Sequence, residues 1–174
     1  MISEFSVRPR PSNNKAKYTC FACFATAAAT LVVTFFIPSY KSIVGIVCLV
    51  FLTAALFIYT KYMASEYLYD ITFDSTGKAV FVVRQRTGRR DSTMCRIDLS
   101  SIESVTEETR EQRRAHTTPG GTLKYNYLPT MSPDATLRII SVMPNERSEI
   151  VIEASAEFAE LLRDYSAEAR ATGQ

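Results

Sequence analysis

The side chains that most often bind metals or carry out covalent catalysis are few in this sequence. Cys20 and Cys23 have the spacing of a redox or metal-binding pair, but both lie in an apolar stretch, and His116 is the only histidine. A structural zinc site needs four ligands, and the spacing of Ser100, Ser101 and His116 is no better than random for a catalytic triad. The cysteine pair is instead interpreted as small apolar residues in a helix, and palmitoylation at the cytoplasmic membrane interface is a minor alternative. We therefore predict no catalytic residues, no metal site and no cofactor, and hence a protein that is not an enzyme.

A set of cations gathers around two predicted turns, and its chemistry would be contact with lipid or phosphate. The set comprises Lys78, Arg84, Arg86, Arg89 and Arg90. Guanidinium groups hold phosphate oxygens through charge-assisted hydrogen bonds. The alternative is a solvated hairpin tip in which Asp91 and neighbouring acids pair with the arginines.

Two tyrosines form the other candidate site. Tyr125 and Tyr127 have strand spacing, so both rings point to one face of the chain. Such a face is a candidate aromatic surface for a protein partner, and packing in the core is the alternative interpretation.

Charge separates the chain into two parts. Residues 1–61 hold six Lys and Arg against one acid, whereas residues 62–174 hold 14 against 17. Binding to nucleic acid needs a positive face that neutralises phosphates, and the acidic second part has only local basic patches. We therefore predict no nucleic-acid partner.

Two uncharged apolar runs, residues 18–37 and 42–60, occupy most of the first part. Each is long enough for a helix that crosses a bilayer, and the turn formed by Pro38, Ser39, Tyr40 and Lys41 makes the two helices antiparallel. Buried core helices and a cleaved signal peptide are the alternatives. The excess of cations before residue 18 places both termini in the cytoplasm. The predicted organisation is a basic tail at 1–17, a transmembrane hairpin at 18–61 and a cytoplasmic domain at 62–174, in a multi-pass protein of the plasma membrane.

Short alternating stretches after residue 62 predict seven strands. They cover residues 67–73, 78–86, 92–98, 102–107, 123–128, 135–142 and 148–153. Residues 108–122 have the composition of a surface loop. From residue 156 the apolar side chains of Phe158, Leu161, Leu162 and Tyr165 recur with helical spacing. This amphipathic helix is expected to cap the open edge of an antiparallel barrel.

Seven strands followed by one helix, with the stretch IDLSSIESV at 97–105 between the third and fourth strands, resemble the pleckstrin-homology (PH-like) fold. With the helical hairpin in front, the layout of residues 18–170 is similar to bacterial membrane proteins of the YcxB-like and PH-domain groups. This resemblance implies an α+β membrane protein with a seven-stranded PH-like barrel and no catalytic residues.

The expected function is therefore a protein-interaction or scaffolding module held at the membrane surface. Its partners would be the lipid bilayer and either a second protein or further copies of itself. Two alternatives stay open: an anionic-lipid or phosphate sensor that uses the cations between residues 78 and 90, and an accessory subunit of a membrane channel or transporter.

Overall fold

The computed structural model describes residues 5–36, 41–144 and 146–172. The chain divides into two compact units, of which Asn13–Ser65 is the first. The second unit combines the residues that precede this segment with those that follow it. The elements in chain order are β1 (Phe5–Val7), α1 (Lys15–Phe36), α2 (Lys41–Tyr62), β2 (Ser65–Phe73), β3 (Ala79–Thr87), β4 (Arg90–Asp98), a 3-10 turn (Leu99–Ser101), β5 (Ile102–Thr109), α3 (Arg110–Ala115), β6 (Thr122–Tyr127), β7 (Ala135–Met143), β8 (Glu146–Ile152) and α4 (Ala156–Thr172).

The first unit is an antiparallel pair of helices, α1 and α2. Small side chains form the seam, because Ala27 and Ala55 are almost completely buried. The thiol of Cys20 donates to the carbonyl of Ala55 at 3.5 Å, and the thiol of Cys48 donates to the carbonyl of Ala27 at 3.3 Å. Small residues let helices approach closely enough for such contacts. Of the predicted turn, Pro38, Ser39 and Tyr40 lie outside the described residues, and Lys41 begins α2.

The rest of the hairpin surface is apolar and exposed. Both helices are long and apolar enough to cross a membrane, and only 17% of the α1 span and 11% of the α2 span are buried. Large side chains such as Phe21 and Phe36 are more than three-quarters exposed. A core helix of a soluble protein would bury most of these groups, so the low burial disfavours the alternative of two buried core helices.

The second unit contains two four-stranded sheets. The strand order is β1-β2-β3-β4 in the first sheet and β5-β7-β8-β6 in the second. In the first sheet, Tyr69 and Ile71 of β2 and Phe81 and Val83 of β3 are fully buried in the core. The side chains between them lie on the outer face, because successive residues of a strand point to opposite faces.

The predicted seven-stranded antiparallel barrel is wrong in three respects: the number of strands, the direction of one strand and the closure of the barrel. An eighth strand, β1, comes from the segment predicted to be a tail and pairs antiparallel with β2, so that Phe5 opposes Ile71. Strand β6 runs parallel to β8, at the edge of its sheet. Within the described residues the two sheets do not close into a barrel. The predicted loop 108–122 contains the short helix α3, which begins with a capping box between Thr109 and Gln112.

Helix α4 packs against the core with the face that its apolar spacing predicted. Phe158 and Leu162 are buried, and Leu161 packs partly buried against the same cluster. The Phe158 ring lies 6.4 Å from the ring of Tyr69 and 6.2 Å from that of Phe81. Helix α4 also contacts β5 and the 3-10 turn. The helix therefore joins the two sheets into one core.

Candidate functional site

The five predicted cations do not form one cluster. Lys78 precedes β3, whereas Arg89 and Arg90 follow it, and a strand of nine residues spans about 30 Å. Lys78, Arg89 and Arg90 are exposed. The structure therefore separates Lys78 from the arginines at the other end of the hairpin.

Arg84 is paired with a buried carboxylate. Asp70 lies on the outer face of β2, and its side chain is only 2% exposed, while that of Arg84 is 42% exposed. The Arg84 Nε donates to Asp70 Oδ2 at 2.5 Å. The other oxygen, Oδ1, is buried and has no hydrogen-bond partner among the described residues. Asp70 thus fixes the position of Arg84 through Oδ2, while Oδ1 accepts no hydrogen bond from the described residues.

Arg86 is paired as well, but at the surface. Its Nε and one terminal amine donate to the two carboxylate oxygens of Asp91, at 2.7 and 2.9 Å. These hydrogen bonds and the charge of Arg86 lower the pKa of Asp91. They also raise the pKa of Arg86. The alternative of a salt-bridged hairpin tip therefore describes Arg86 and Asp91 directly.

A groove with a volume of about 470 Å³ lies on the outer face of the first sheet. Its polar lining includes Asp70, Thr72, Asp74, Arg84, Thr93 and Arg96. Strands β2, β3 and β4 each contribute to it, together with the turn after β2. Two guanidinium groups and two carboxylates therefore face one small space.

Arg96 and Thr93 were not among the predicted site residues, although both face this groove. Arg96 opposes Val82 and Thr93 opposes Arg84, with a shift of register between Val83 and Arg84. If side chains alternated regularly along β4, Thr93 and Arg96 would lie on opposite faces of the sheet. The register shift places both on the outer face. A bulge of this kind is visible only when the strands are paired.

Asp74 directs one carboxylate oxygen into its own turn. Oδ1 accepts hydrogen bonds from the amide and the hydroxyl of Thr76, at 2.8 and 2.6 Å, and from the amide of Lys78 at 3.0 Å. The hydroxyl of Thr76 and the amide of Lys78 are the main causes of a lowered pKa at Asp74, and the charge of Arg96 contributes. Gly77 completes the turn at a φ of +80°, where a Cβ would be strained.

The outer face of the second sheet carries a row of alternating charges. Glu108, Arg138, Glu149 and Lys124 come from β5, β7, β8 and β6, which is the strand order of that sheet. Arg138 Nε lies 2.9 Å from Glu108 Oε1, and Lys124 Nζ lies 2.9 Å from Glu149 Oε1. Glu149 is almost completely buried. Opposite charges on neighbouring strands compensate one another in this row.

The single histidine joins this row from the segment that follows α3. An Arg138 terminal amine lies 2.9 Å from Nδ1 and 2.7 Å from Nε2 of the His116 ring, and Glu149 Oε2 lies 3.4 Å from Nε2. The hydroxyl of Thr118 donates to the same Glu149 oxygen at 2.9 Å. Burial raises the pKa of Glu149, but Lys124, Thr118 and His116 outweigh it, and the pKa lies below its ordinary value. His116 therefore holds the segment against a charged sheet face.

The two candidate partner tyrosines lie at the core. Tyr127 is buried, and Tyr125 packs partly buried against the core. Their rings are stacked at 6.2 Å. The Tyr127 hydroxyl donates to the carbonyl of Met94 at 3.2 Å, and burial raises the Tyr127 pKa to about 12. Burial also raises the pKa of the Cys95 thiol, to about 11, so that this thiol is a weak nucleophile at neutral pH.

The residues with possible catalytic chemistry lie in separate places. Ser101 Oγ donates to the carbonyl of Asp98 at 2.7 Å and lies 2.8 Å from Ser141 Oγ, whereas His116 contacts the charged row. Across the described ranges, no three His, Cys, Asp or Glu side chains are grouped so that they could hold a metal ion. Neither a protein-family model, nor a curated protein, nor a solved structure matches this chain.

Proposed function

We propose that this chain is a membrane-anchored, non-enzymatic interaction module. In this proposal α1 and α2 cross the plasma membrane, and the α+β domain binds a protein partner, or another copy of the chain, at the cytoplasmic surface. The exposed apolar surface of the hairpin supports the first part, because large exposed apolar areas are covered by lipid or by another protein.

The pairing of β1 with β2 is the observation that carries the proposed topology. Strand β1 precedes the hairpin and β2 follows it, yet Phe5, Ser6 and Val7 oppose Ile71, Asp70 and Tyr69 in one sheet. Two strands of one sheet must lie on the same side of a bilayer. This favours an even number of crossings between them, and the excess of cations before residue 18 favours the cytoplasmic side.

Ion pairing favours a protein partner over anionic lipid. Arg84 and Arg86 are paired with Asp70 and Asp91, respectively. Asp91 occupies both Nε and one terminal amine of Arg86, so a phosphate would have to displace this carboxylate to bind Arg86. Residues 62–174 also carry more acids than cations, which weakens any attraction to an anionic surface.

The PH-like and YcxB-like assignment belongs to the same proposal. Two apolar helices, a mostly β domain and a C-terminal helix packed on it support the assignment. The extra strand β1 and the parallel pairing of β6 with β8 depart from the expected antiparallel barrel. In this assignment the chain is a variant in which the strand before the hairpin, β1, joins the domain.

Membrane extraction and cross-linking of the full chain test the proposal. We expect the chain to stay in the membrane pellet after alkaline carbonate. A photoactivatable residue at Leu123, which is 49% exposed, should give an adduct of one defined mass, whereas the same residue at buried Ile139 should give none. The Arg89→Gln/Arg90→Gln variant should give the same adduct in the same yield. Release by carbonate would refute the anchor, and loss of the adduct in the arginine variant would instead favour recognition through the cationic turn.

A further inference from the structure

The groove on the first sheet is balanced in charge. Arg84 and Arg96 supply two positive charges, and Asp70 and Asp74 supply two negative ones. A simple anion would meet attraction and repulsion in similar measure. A ligand that carries both signs would match the groove better, because complementary charges on both partners suppress unfavourable contacts.

Asp70 provides the clearest sign of a missing partner. Its side chain is 2% exposed and contributes to the groove, and Oδ1 has no hydrogen-bond partner in the part of the chain that the structure describes. Buried acceptors are usually satisfied, and an unsatisfied carboxylate oxygen is costly. An ammonium group would satisfy this oxygen with a charge-assisted N–H donor.

Arg84 and Arg96 provide the positively charged part of the groove, which suits the oxyanion of such a ligand. Asp70 holds Nε of Arg84 at 2.5 Å and thereby orients a guanidinium that is 42% exposed. Arg96 comes from the neighbouring strand and is exposed at the same groove. Two guanidinium groups at one site are suited to an oxyanion, either carboxylate or phosphate. The hydroxyl of Thr93 lines the same space and is a further donor.

We propose that this groove binds a small zwitterion, in which an ammonium group lies a few bonds from an oxyanion. Asp70 receives the ammonium group, and Arg84 with Arg96 receives the oxyanion. Free amino acids and phosphoethanolamine have this chemistry, and so does the headgroup of phosphatidylethanolamine. The proposal does not depend on the membrane anchor or on a protein partner, because every group named belongs to the α+β domain.

Calorimetric titration of the full chain in phosphatidylcholine nanodiscs tests the proposal. The probes are glycine, O-phosphoethanolamine and phosphocholine, whose quaternary nitrogen has no N–H donor. We expect at least one of the first two to bind, and phosphocholine to bind at least about tenfold more weakly than O-phosphoethanolamine if the latter binds. Arg96→Gln should weaken binding at least about tenfold, and Arg89→Gln, outside the groove, should leave it unchanged.

Additional titrations identify the source of the ligand, and a second variant decides the result if the first does not fold. If phosphatidylethanolamine in the nanodisc abolishes binding of the soluble probe, the lipid headgroup occupies the groove; unchanged binding identifies a free zwitterion. Asp70→Asn should remove the preference for a primary ammonium group, provided that circular dichroism shows a folded domain. Because Arg96 is exposed, the Arg96→Gln variant decides the test if Asp70→Asn does not fold. Absence of binding by both zwitterions, equal binding of phosphocholine and O-phosphoethanolamine, or wild-type binding by Arg96→Gln would overturn the proposal.

Discussion

Replacement of Tyr69 by Phe should destabilise the α+β domain without changing its shape. Tyr69 is fully buried, and its hydroxyl donates to the carbonyl of Tyr127 at 2.7 Å and accepts from the amide of Glu153 at 3.4 Å. The variant removes the hydroxyl and leaves a buried carbonyl and a weakly bonded amide without this partner. One net hydrogen bond contributes about 1 kcal/mol, and a buried unsatisfied group costs about 1–3 kcal/mol. The expected loss is therefore about 1–3 kcal/mol.

Urea unfolding of the full chain in detergent, followed by circular dichroism, measures this loss. The midpoint should fall while the slope stays constant, because the ring still fills its place in the core. Tyr165→Phe on α4 is the matched control, since Tyr165 is only partly buried, and it should shift the free energy of unfolding by less than about 0.5 kcal/mol. A loss below about 0.5 kcal/mol in Tyr69→Phe would refute the inference that this hydroxyl ties the two sheets together.

Three further perturbations test other parts of the domain. Phe158→Ala should lower the free energy of unfolding by about 3–5 kcal/mol, because the ring is 1% exposed; a loss below about 1 kcal/mol in urea titration would show that α4 does not complete the core. Gly77→Ala should cost about 1 kcal/mol, since φ is +80°, and Gly120→Ala, which has no positive φ, is the control in a thermal melt. The lowered pKa of Glu149 means that its stabilising effect is complete above the carboxyl's ordinary pKa of 4.5 and is lost as the pH falls through the lowered value. Wild type should therefore lose more stability than Glu149→Gln on acidification, and equal losses would contradict the role of the charged row.

The helices and most strands were predictable from local pattern. Unbroken apolar runs gave α1 and α2, and alternation gave β2, β3 and β7 to within two residues at each end. The spacing of Phe158, Leu161 and Leu162 identified the buried face of α4, because that face is set by the period of the helix alone.

The remaining features depend on pairing between distant segments. Strand β1 has only three residues, which is too short for a periodic signal, and its place is set by β2, which follows the hairpin. The direction of β6 depends on its partner β8. The burial of Asp70 and the position of Arg96 depend on neighbouring strands and on a bulge. Thr109 and Gln112, by contrast, carry the spacing of a capping box, a local signal that would have located α3.

The pairing of β1 with β2 also constrains the order of folding during synthesis. The ribosome synthesises Phe5–Val7 before α1 and α2, but this strand pairs with Ser65–Phe73, which follows both helices in the sequence. The first sheet can therefore be completed only after both helices have been synthesised. Antiparallel packing of α1 and α2 brings the chain ends of the hairpin together, so that most of the loop-closure entropy has been lost before β1 docks. A complete first sheet therefore indicates that the hairpin has formed, whereas a chain whose hairpin fails to form leaves the edge of β2 unpaired and open to pairing with other chains.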